Sequence, residues 1–314
     1  MFKVIYLQHL LFVGVVGLFE ISTGWGVWRL DFGFLMNAEA GKIEAMRLAA
    51  IACLLCTVAS GQWIRYPTEG VPKGKDGKPN LSAPAPRGSD NKPDFSGMWI
   101  TGEGLPCPKS LQDETGDCLE KSPLSRFAAD LNQAIPGGLP FQPESVKIRK
   151  ARQEGALDPH VRCLPSNFPR MFTLPHITKF VQTRKLLVLI NEYNASYRQI
   201  FMDGRPLPVD PQPSWNGYST AKWEGDTLVV QTNGFRDDLW MDMSGTPLTN
   251  AATVTERFRR PNFGTLEIEA TVNDPRAYTR PWSMKMIDKI VLDTELIDEV
   301  CLENENSARH MKTP

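Results

Sequence analysis

Tyr218-Ser219-Thr220-Ala221-Lys222-Trp223-Glu224-Gly225-Asp226-Thr227-Leu228-Val229-Val230-Gln231-Thr232 is the stretch on which the fold turns. Two runs rich in β-branched and aromatic residues, Tyr218–Trp223 and Thr227–Thr232, flank Glu224-Gly225-Asp226, and a short glycine turn between such runs makes a β-hairpin. The same pattern recurs on both sides. Towards the C-terminus, Thr253–Arg260 and Leu266–Val272 flank Pro261-Asn262-Phe263-Gly264. Trp282–Ile287 and Lys289–Leu292 then give a further strand or pair, and Leu296–Cys301 the last. Towards the N-terminus, Ile177–Thr183 and Leu186–Glu192 are joined through Arg184-Lys185, and Tyr197–Asp203 stops at the turn signal Asp203-Gly204-Arg205-Pro206. Phe95-Ser96-Gly97-Met98-Trp99-Ile100 opens the folded part as a Gly-x-Trp strand. A run of about eight to ten sequential strands with short links is a meander that closes into a barrel. The expected fold is mostly β: an antiparallel meander closing into a β-barrel over residues 95–304, with a short helical insertion.

That insertion lies at residues 122–155. Leu124, Phe127, Leu131 and Ile135 recur at helical spacing behind Ser122-Pro123, and Pro136-Gly137-Gly138 stops them. A second helix is expected from Pro143 to Glu154. The pair can act as a lid, or simply plug one end of the sheet. Residues 61–94 are rich in Pro, Gly, Lys and Asp and show no apolar period, so they are expected to run extended over the surface or stay loose. Within and just beyond them Lys78-Pro79-Asn80-Leu81-Ser82 recurs as Lys92-Pro93-Asp94-Phe95-Ser96.

Composition narrows the function classes. A formal net charge of -1 with no Lys/Arg block argues against nucleic acid as a partner. No Gly-rich strand-to-helix turn of the dinucleotide or P-loop type is present, and no cofactor is expected. No Gly-x-Ser-x-Gly turn is present either, and only His160, His176 and His310 stand beyond the N-terminal region, so a serine triad is not expected.

Met46-Arg47, the apolar run Leu48–Ala59 and then Ser60-Gly61 read as a signal peptide over residues 46–60, which places the protein in the periplasm or outside the cell. Residues 1–45 are expected to be a gene-start artefact or leader. The other reading is a membrane anchor over roughly Val4–Phe19, short for a bilayer span, which would be the protein's one membrane contact. Beyond the signal stand Cys107, Cys118, Cys163 and Cys301. Four cysteines allow three pairings. In an oxidising compartment the expected disulfides are Cys107–Cys118, closing a small loop, and Cys163–Cys301, tying the C-terminus back. Zinc would need CxxC spacing or nearby histidines, and no metal is expected. Residues 305–314 form a polar tail.

Strand alternation exposes charges on apolar faces. Glu256 shares its face with Val254 and Phe258, and Arg198 shares its face with Ile200 and Met202. Glu192 ends the apolar strand Leu186–Ile190. All three are expected to enter one interior, where an unpaired carboxylate is costly and pairing with Arg198 relieves it. Such a network either fixes strand register alone or supplies acid/base chemistry at a cavity mouth. The candidate catalytic set is Glu256, Glu192 and Tyr218. The candidate ligand contacts are Arg198, Arg205, Trp223, Trp240 and Asp242. The loop Gly234–Asn250, with Asp237, Asp238 and Asp242 among Phe235, Leu239, Trp240 and Met241, reads as a ligand lid or as a solvated loop anchored by Trp240.

Several of these motifs carry a resemblance. Cys163-Leu164-Pro165 with Pro169-Arg170, Arg198–Pro208 with its Asp203-Gly204-Arg205-Pro206-Leu207-Pro208 ending, Gly217-Tyr218-Ser219, Trp223–Val230 and Thr255-Glu256-Arg257-Phe258 together resemble an uncharacterised family of secreted bacterial β-rich proteins. The likeness spans roughly Pro93 to Asn304. More weakly, Gly97-Met98-Trp99 is similar to lipocalin-type barrels. The resemblance implies export and a barrel-like fold and brings no activity with it. Many members carry a histidine where this chain has Leu248 in Gly245-Thr246-Pro247-Leu248, so a mechanism needing that histidine is not expected here.

The expected function is binding of a small, largely apolar organic molecule in an interior cavity, with any acidic group meeting Arg198 or Arg205. The alternatives are a cofactor-independent isomerase, hydratase or hydrolase using Glu256 or Glu192 as acid/base with Tyr218 or Arg198 stabilising an oxyanion, and a structural envelope protein with a filled barrel.

Overall fold

The computed structural model describes residues 67–102, 125–155, 158–194 and 196–297, and the short strands Ser22–Thr23 and Gly26–Val27. The chain divides into two compact units, Met1–Ile64 and Arg65–Pro314. In the first, the two short strands pair antiparallel. Residues 46–60, expected to be a signal peptide, and Cys107, Cys118 and Cys301 lie outside the described residues.

The second unit is a closed barrel of nine strands. In chain order they are β1 (Gly97–Thr101), β2 (Thr178–Gln182), β3 (Leu186–Asn191), β4 (Tyr197–Phe201), β5 (Tyr218–Glu224), β6 (Thr227–Asn233), β7 (Thr253–Asn262), β8 (Thr265–Asn273) and β9 (Trp282–Val291). Each pairs with its sequence neighbours and β9 closes on β1, as the meander reading required. The region expected as a strand or pair is one unbroken strand, β9, and Leu296 and Ile297 are not strand.

Parity sets the one exception to antiparallel order. Strands that strictly alternate in direction close a ring only if their number is even, so nine strands must contain a parallel pair. It falls between β4 and β5, which are joined by a long connection, residues 202–217. A parallel pair needs such a crossover. This pairing is also short: Ile200 meets Ser219 and Phe201 meets Thr220, and no further residues are in register.

The barrel interior is filled by side chains. Phe258 lies 6.0 Å from Phe172, 6.2 Å from Phe95 and 6.3 Å from Phe180 between ring centroids. Trp99, Leu187, Leu189, Ile200, Leu228, Val230, Val254 and Ile268 complete a fully buried core. Alternation explains it, since β4, β6 and β7 send every second residue inward.

Both kinds of non-strand segment seal this core. Residues 67–94 run over the surface, the first of the two forms expected, and are pinned to it. The internal near-repeat folds twice into the same tight loop: Gly74 N donates to Lys78 O at 2.8 Å, and Gly88 N donates to Lys92 O at 2.9 Å. Arg87 grips Asp226 with both nitrogens, and Phe95 enters the barrel to stack on Trp223 at 5.6 Å. The Arg260 guanidinium closes the same region by donating to the carbonyls of Asp94, Ser96 and Phe263. It lies 4.8 Å from the Trp99 ring, and burial pushes its pKa down to about 10.

The helical insertion is a plug. The helix expected from Ser122 breaks at Asp130, which ends α1 (Arg126–Ala129) and caps α2 (Leu131–Ala134) through Asn132 N. α3 (Pro143–Gly155) begins on its proline, as expected. Phe127, Leu131 and Leu139 join the barrel core, so this layer and the barrel share one apolar interior.

Arg198 and Glu256 meet inside the barrel, and removing either partner alone strands a buried charge. In urea unfolding, Glu256→Leu or Arg198→Met is expected to lose about 3–5 kcal/mol, with the double replacement recovering most of it. Additive losses in the double variant would contradict this.

Candidate functional site

Arg198 organises the seam. It projects inward from β4, is 2% exposed, and uses its fork on three neighbouring strands. Nε donates to Ser219 Oγ of β5 at 3.1 Å, and Nη2 to Thr232 Oγ1 of β6 at 2.8 Å. Nη1 donates to Glu256 Oε1 of β7 at 2.9 Å, and Nη2 completes a bidentate pair with Oε2. Ser219 Oγ and Thr232 Oγ1 are themselves 2.9 Å apart. Glu256 is 0% exposed and both of its oxygens are held by Arg198. This arrangement ties four consecutive strands across the shortest pairing in the barrel.

On the outer side of the same seam lies a half-open cleft of about 380 Å³. It forms because β4 and β5 pair over so short a register and then part. Tyr197, Gln199 and Phe201 of β4 line it, facing Tyr218 of β5 and Ser214, Trp215, Asn216 and Gly217 at the end of the crossover. Gly217 has to be glycine: its φ is +65°, and a Cβ there would stand 2.5 Å from Asn233 O. Tyr197 is 63% exposed, an unusual state for an aromatic residue on a strand. Phe201 and Tyr218 stack at 5.2 Å. The Arg205 guanidinium lies 3.9 Å from the Phe201 centroid and donates to Tyr218 Oη at 3.0 Å. Asp203 holds Arg205 from the solvent side, at 2.7 Å from its Nη2, and that hydrogen bond together with Tyr218 raises the Arg205 pKa.

The remaining wall comes from residues 158–177 and the turn after β3. Asn194 and Pro165 line it, and Asn194 Nδ2 donates to Leu164 O at 2.9 Å. Behind them Tyr193 Oη donates to His160 O at 2.8 Å, while the His160 and Tyr193 rings stack at 3.5 Å. His176 stands 4.7 Å from Tyr193 and 6.2 Å from His160. Arg170, clamped on Asp158 by two bonds of 2.7 Å, underlies this layer.

Of the residues singled out from sequence, Arg198, Glu256, Tyr218 and Arg205 converge on the seam. Four do not. Glu192 stays out of the interior, because beyond the end of β3 its Oε2 accepts from Ile177 N at 3.2 Å. Trp223 packs on Phe95 at the far end of β5. Trp240 lies buried against Arg152, 5.1 Å from its guanidinium. Asp242 accepts from Thr246 N at 2.9 Å, Thr246 Oγ1 at 2.6 Å and Leu131 N at 2.8 Å, so the loop carrying it is a structural cap. Burial raises the Asp242 carboxyl pKa in spite of those donors. Of the four cysteines, only Cys163 lies among the described residues, and it is disulfide-bonded. The sequence reading missed Tyr197, Gln199, Phe201, Trp215 and Asn216. Alternation puts Tyr197 and Phe201 on the face of β4 opposite Arg198 and Ile200, and that was the signal available.

No family model, no curated protein and no solved structure matches this chain. The fold therefore rests on its own geometry: a closed nine-stranded barrel with one parallel seam.

The histidine layer carries a pH dependence. Burial first, then the charge of Arg170, pushes the His160 pKa from 6.5 down to about 3, with Asp158 opposing and His176 adding to the fall. Burial also lowers the His176 pKa. An unfolded chain takes up these protons near 6.5 while the folded one does not, so falling pH favours unfolding in that window. The thermal midpoint is expected to drop between about pH 7.5 and about pH 5.5, above the carboxylate range, and less so in His160→Gln. An equal drop in both proteins would contradict this.

Proposed function

We propose that this is an exported barrel that binds a small, largely apolar organic molecule in the seam cleft between β4 and β5, not inside the barrel. The observation that carries the reading is the cleft's composition. Aromatic walls from Tyr197, Phe201, Trp215 and Tyr218 surround a small set of amides in a volume typical of small-molecule sites. The interior has been given over to packing, and Glu256 is saturated by Arg198. A catalytic role for Glu256 would need that pair to open, which favours binding over turnover on this scaffold. Export is supported by the signal-like segment at 46–60 and by the bonded state of Cys163, and we assign Cys163–Cys301 and Cys107–Cys118 as the disulfides.

Native mass spectrometry of the unreduced full-length gene product, isolated from cells exporting it, tests the proposal. The expected species begins after Ser60, lacks free thiols, and carries a small molecule, either co-purified or taken up from a mixture of small aromatic compounds. Tyr197→Ala, which removes one exposed wall, is expected to lose that adduct. An adduct that survives Tyr197→Ala, or none on the parent protein, would contradict the seam site. Free thiols on a chain starting at Met1 would contradict export.

A further inference from the structure

The near-repeat ahead of the barrel is a duplication of structure as well as of sequence. Pro72-Lys73-Gly74-Lys75-Asp76-Gly77-Lys78-Pro79-Asn80-Leu81-Ser82 recurs as Pro86-Arg87-Gly88-Ser89-Asp90-Asn91-Lys92-Pro93-Asp94-Phe95-Ser96. Corresponding residues make corresponding bonds. Lys78 N donates to Asp76 Oδ1, and Lys92 N to Asp90 Oδ1, both at 3.1 Å. Asn80 N donates to Pro72 O at 2.7 Å and Asp94 N to Pro86 O at 2.9 Å, so each loop closes the same way at its base. Gly77 and Asn91 both stand at positive φ, 76° and 61°, at the tip.

The two copies differ in what covers them. The second is docked on the turn between β5 and β6. Arg87 holds the Asp226 carboxylate, and Lys92 Nζ donates to Gly225 O at 3.0 Å while lying 5.9 Å from the Trp223 ring centroid. Phe95 stacks on that same ring, and Pro93 and Phe95 are buried. The first copy carries like residues at the same places, with Lys73 for Arg87, Lys78 for Lys92 and Leu81 for Phe95. There Lys73, Lys78, Pro79, Asn80 and Leu81 are all exposed, Leu81 at 44%. No carboxylate among the described residues pairs with Lys73, Lys75 or Lys78. This copy is tied down along its outgoing backbone, where Gly264 N donates to Leu81 O and Phe263 N to Ala83 O, each at 2.8 Å. Lys73 and Pro79 also edge an open hollow of about 440 Å³ that Val71 and Leu292 help to line. The face that the second copy buries is left open in the first.

We infer that the first loop is a second docking element, and that it takes a β-turn of another protein bearing a carboxylate beside an aromatic ring, as Asp226 stands beside Trp223 here. The docked copy defines that chemistry: one cation meets the turn carboxylate, a lysine ammonium meets the turn carbonyl and the ring, and an apolar side chain packs on the ring. Lys73 in place of Arg87 exchanges a planar fork for a point charge, which relaxes the geometry demanded of the acid. Exposed ion pairs each contribute little, so the association is weak and reversible.

The test adds a cyclised peptide copying the hairpin of residues 218–232 to isotopically labelled full-length protein and follows chemical shifts. The amides between Lys73 and Leu81 are expected to shift saturably. Asp226→Lys in the peptide is expected to weaken binding about fivefold or more, and Trp223→Ala to weaken it as well. Against Lys73→Glu/Lys78→Glu protein the Asp226→Lys peptide is expected to bind again. Both lysines are exposed, and should that variant nonetheless fail to fold, the peptide comparison on the unsubstituted protein decides. No shift between Lys73 and Leu81 at millimolar peptide would overturn the inference. So would shifts there that are indifferent to both peptide substitutions, or shifts confined to Arg87–Phe95. Binding of the loop to phosphatidylglycerol vesicles but not to the peptide would overturn it in favour of a lipid surface.

Discussion

The Arg198–Glu256 pair is the interaction on which the rest of this barrel depends. Nine strands cannot close without a parallel neighbour pair, and here that pair shares only a two-residue register. Backbone hydrogen bonds alone make this the weakest joint in the ring. Arg198 reinforces it with side-chain bonds to β5, β6 and β7, all shielded from water. A guanidinium suits the task because its planar fork reaches several acceptors at fixed angles, where a lysine would offer a single point charge. Burying the pair is expensive, and its contribution here lies in fixing which strands meet more than in net stability.

The same constraint generates the candidate site. Because the pairing of β4 and β5 ends early, their outer faces separate and leave a cleft, and the crossover that parallel pairing demands supplies its far wall. Inside and outside divide the work along one strand. Arg198 and Ile200 point inward to structure, and Tyr197, Gln199 and Phe201 point outward to the cleft. Three of the stretches singled out in the sequence, Arg198–Pro208, Gly217-Tyr218-Ser219 and Thr255-Glu256-Arg257-Phe258, fall largely on this joint.

Much of the barrel was legible in the sequence because its signals are local. Glycine turns, period-two alternation and the odd charges Arg198 and Glu256 on apolar faces each report on a few neighbouring residues. The parallel seam was not legible, since it follows from the parity of the whole strand count, and the count was uncertain at β9, which looked like a strand or pair. The cleft inherits that difficulty. Trp215 and Asn216 look like loop residues until the crossover brings them beside Tyr197. Glu192 and Asp242 misled for the opposite reason: a carboxylate among apolar residues can mark a backbone cap as readily as a site, and only the partners Ile177, Leu131 and Thr246 distinguish the two. Where residues 67–94 dock was hidden because their anchors, Asp226 and Gly264, are distant in sequence.

Hydrogen exchange on the full-length protein and its Arg198→Met/Glu256→Leu variant bears most directly on the claim that this buried pair holds the seam. The account predicts that the amides of Tyr197–Phe201 and Tyr218–Thr220 lose protection selectively in the variant, while β8 and β9 keep theirs. Unchanged protection at the seam, or a uniform loss across all nine strands, would contradict it.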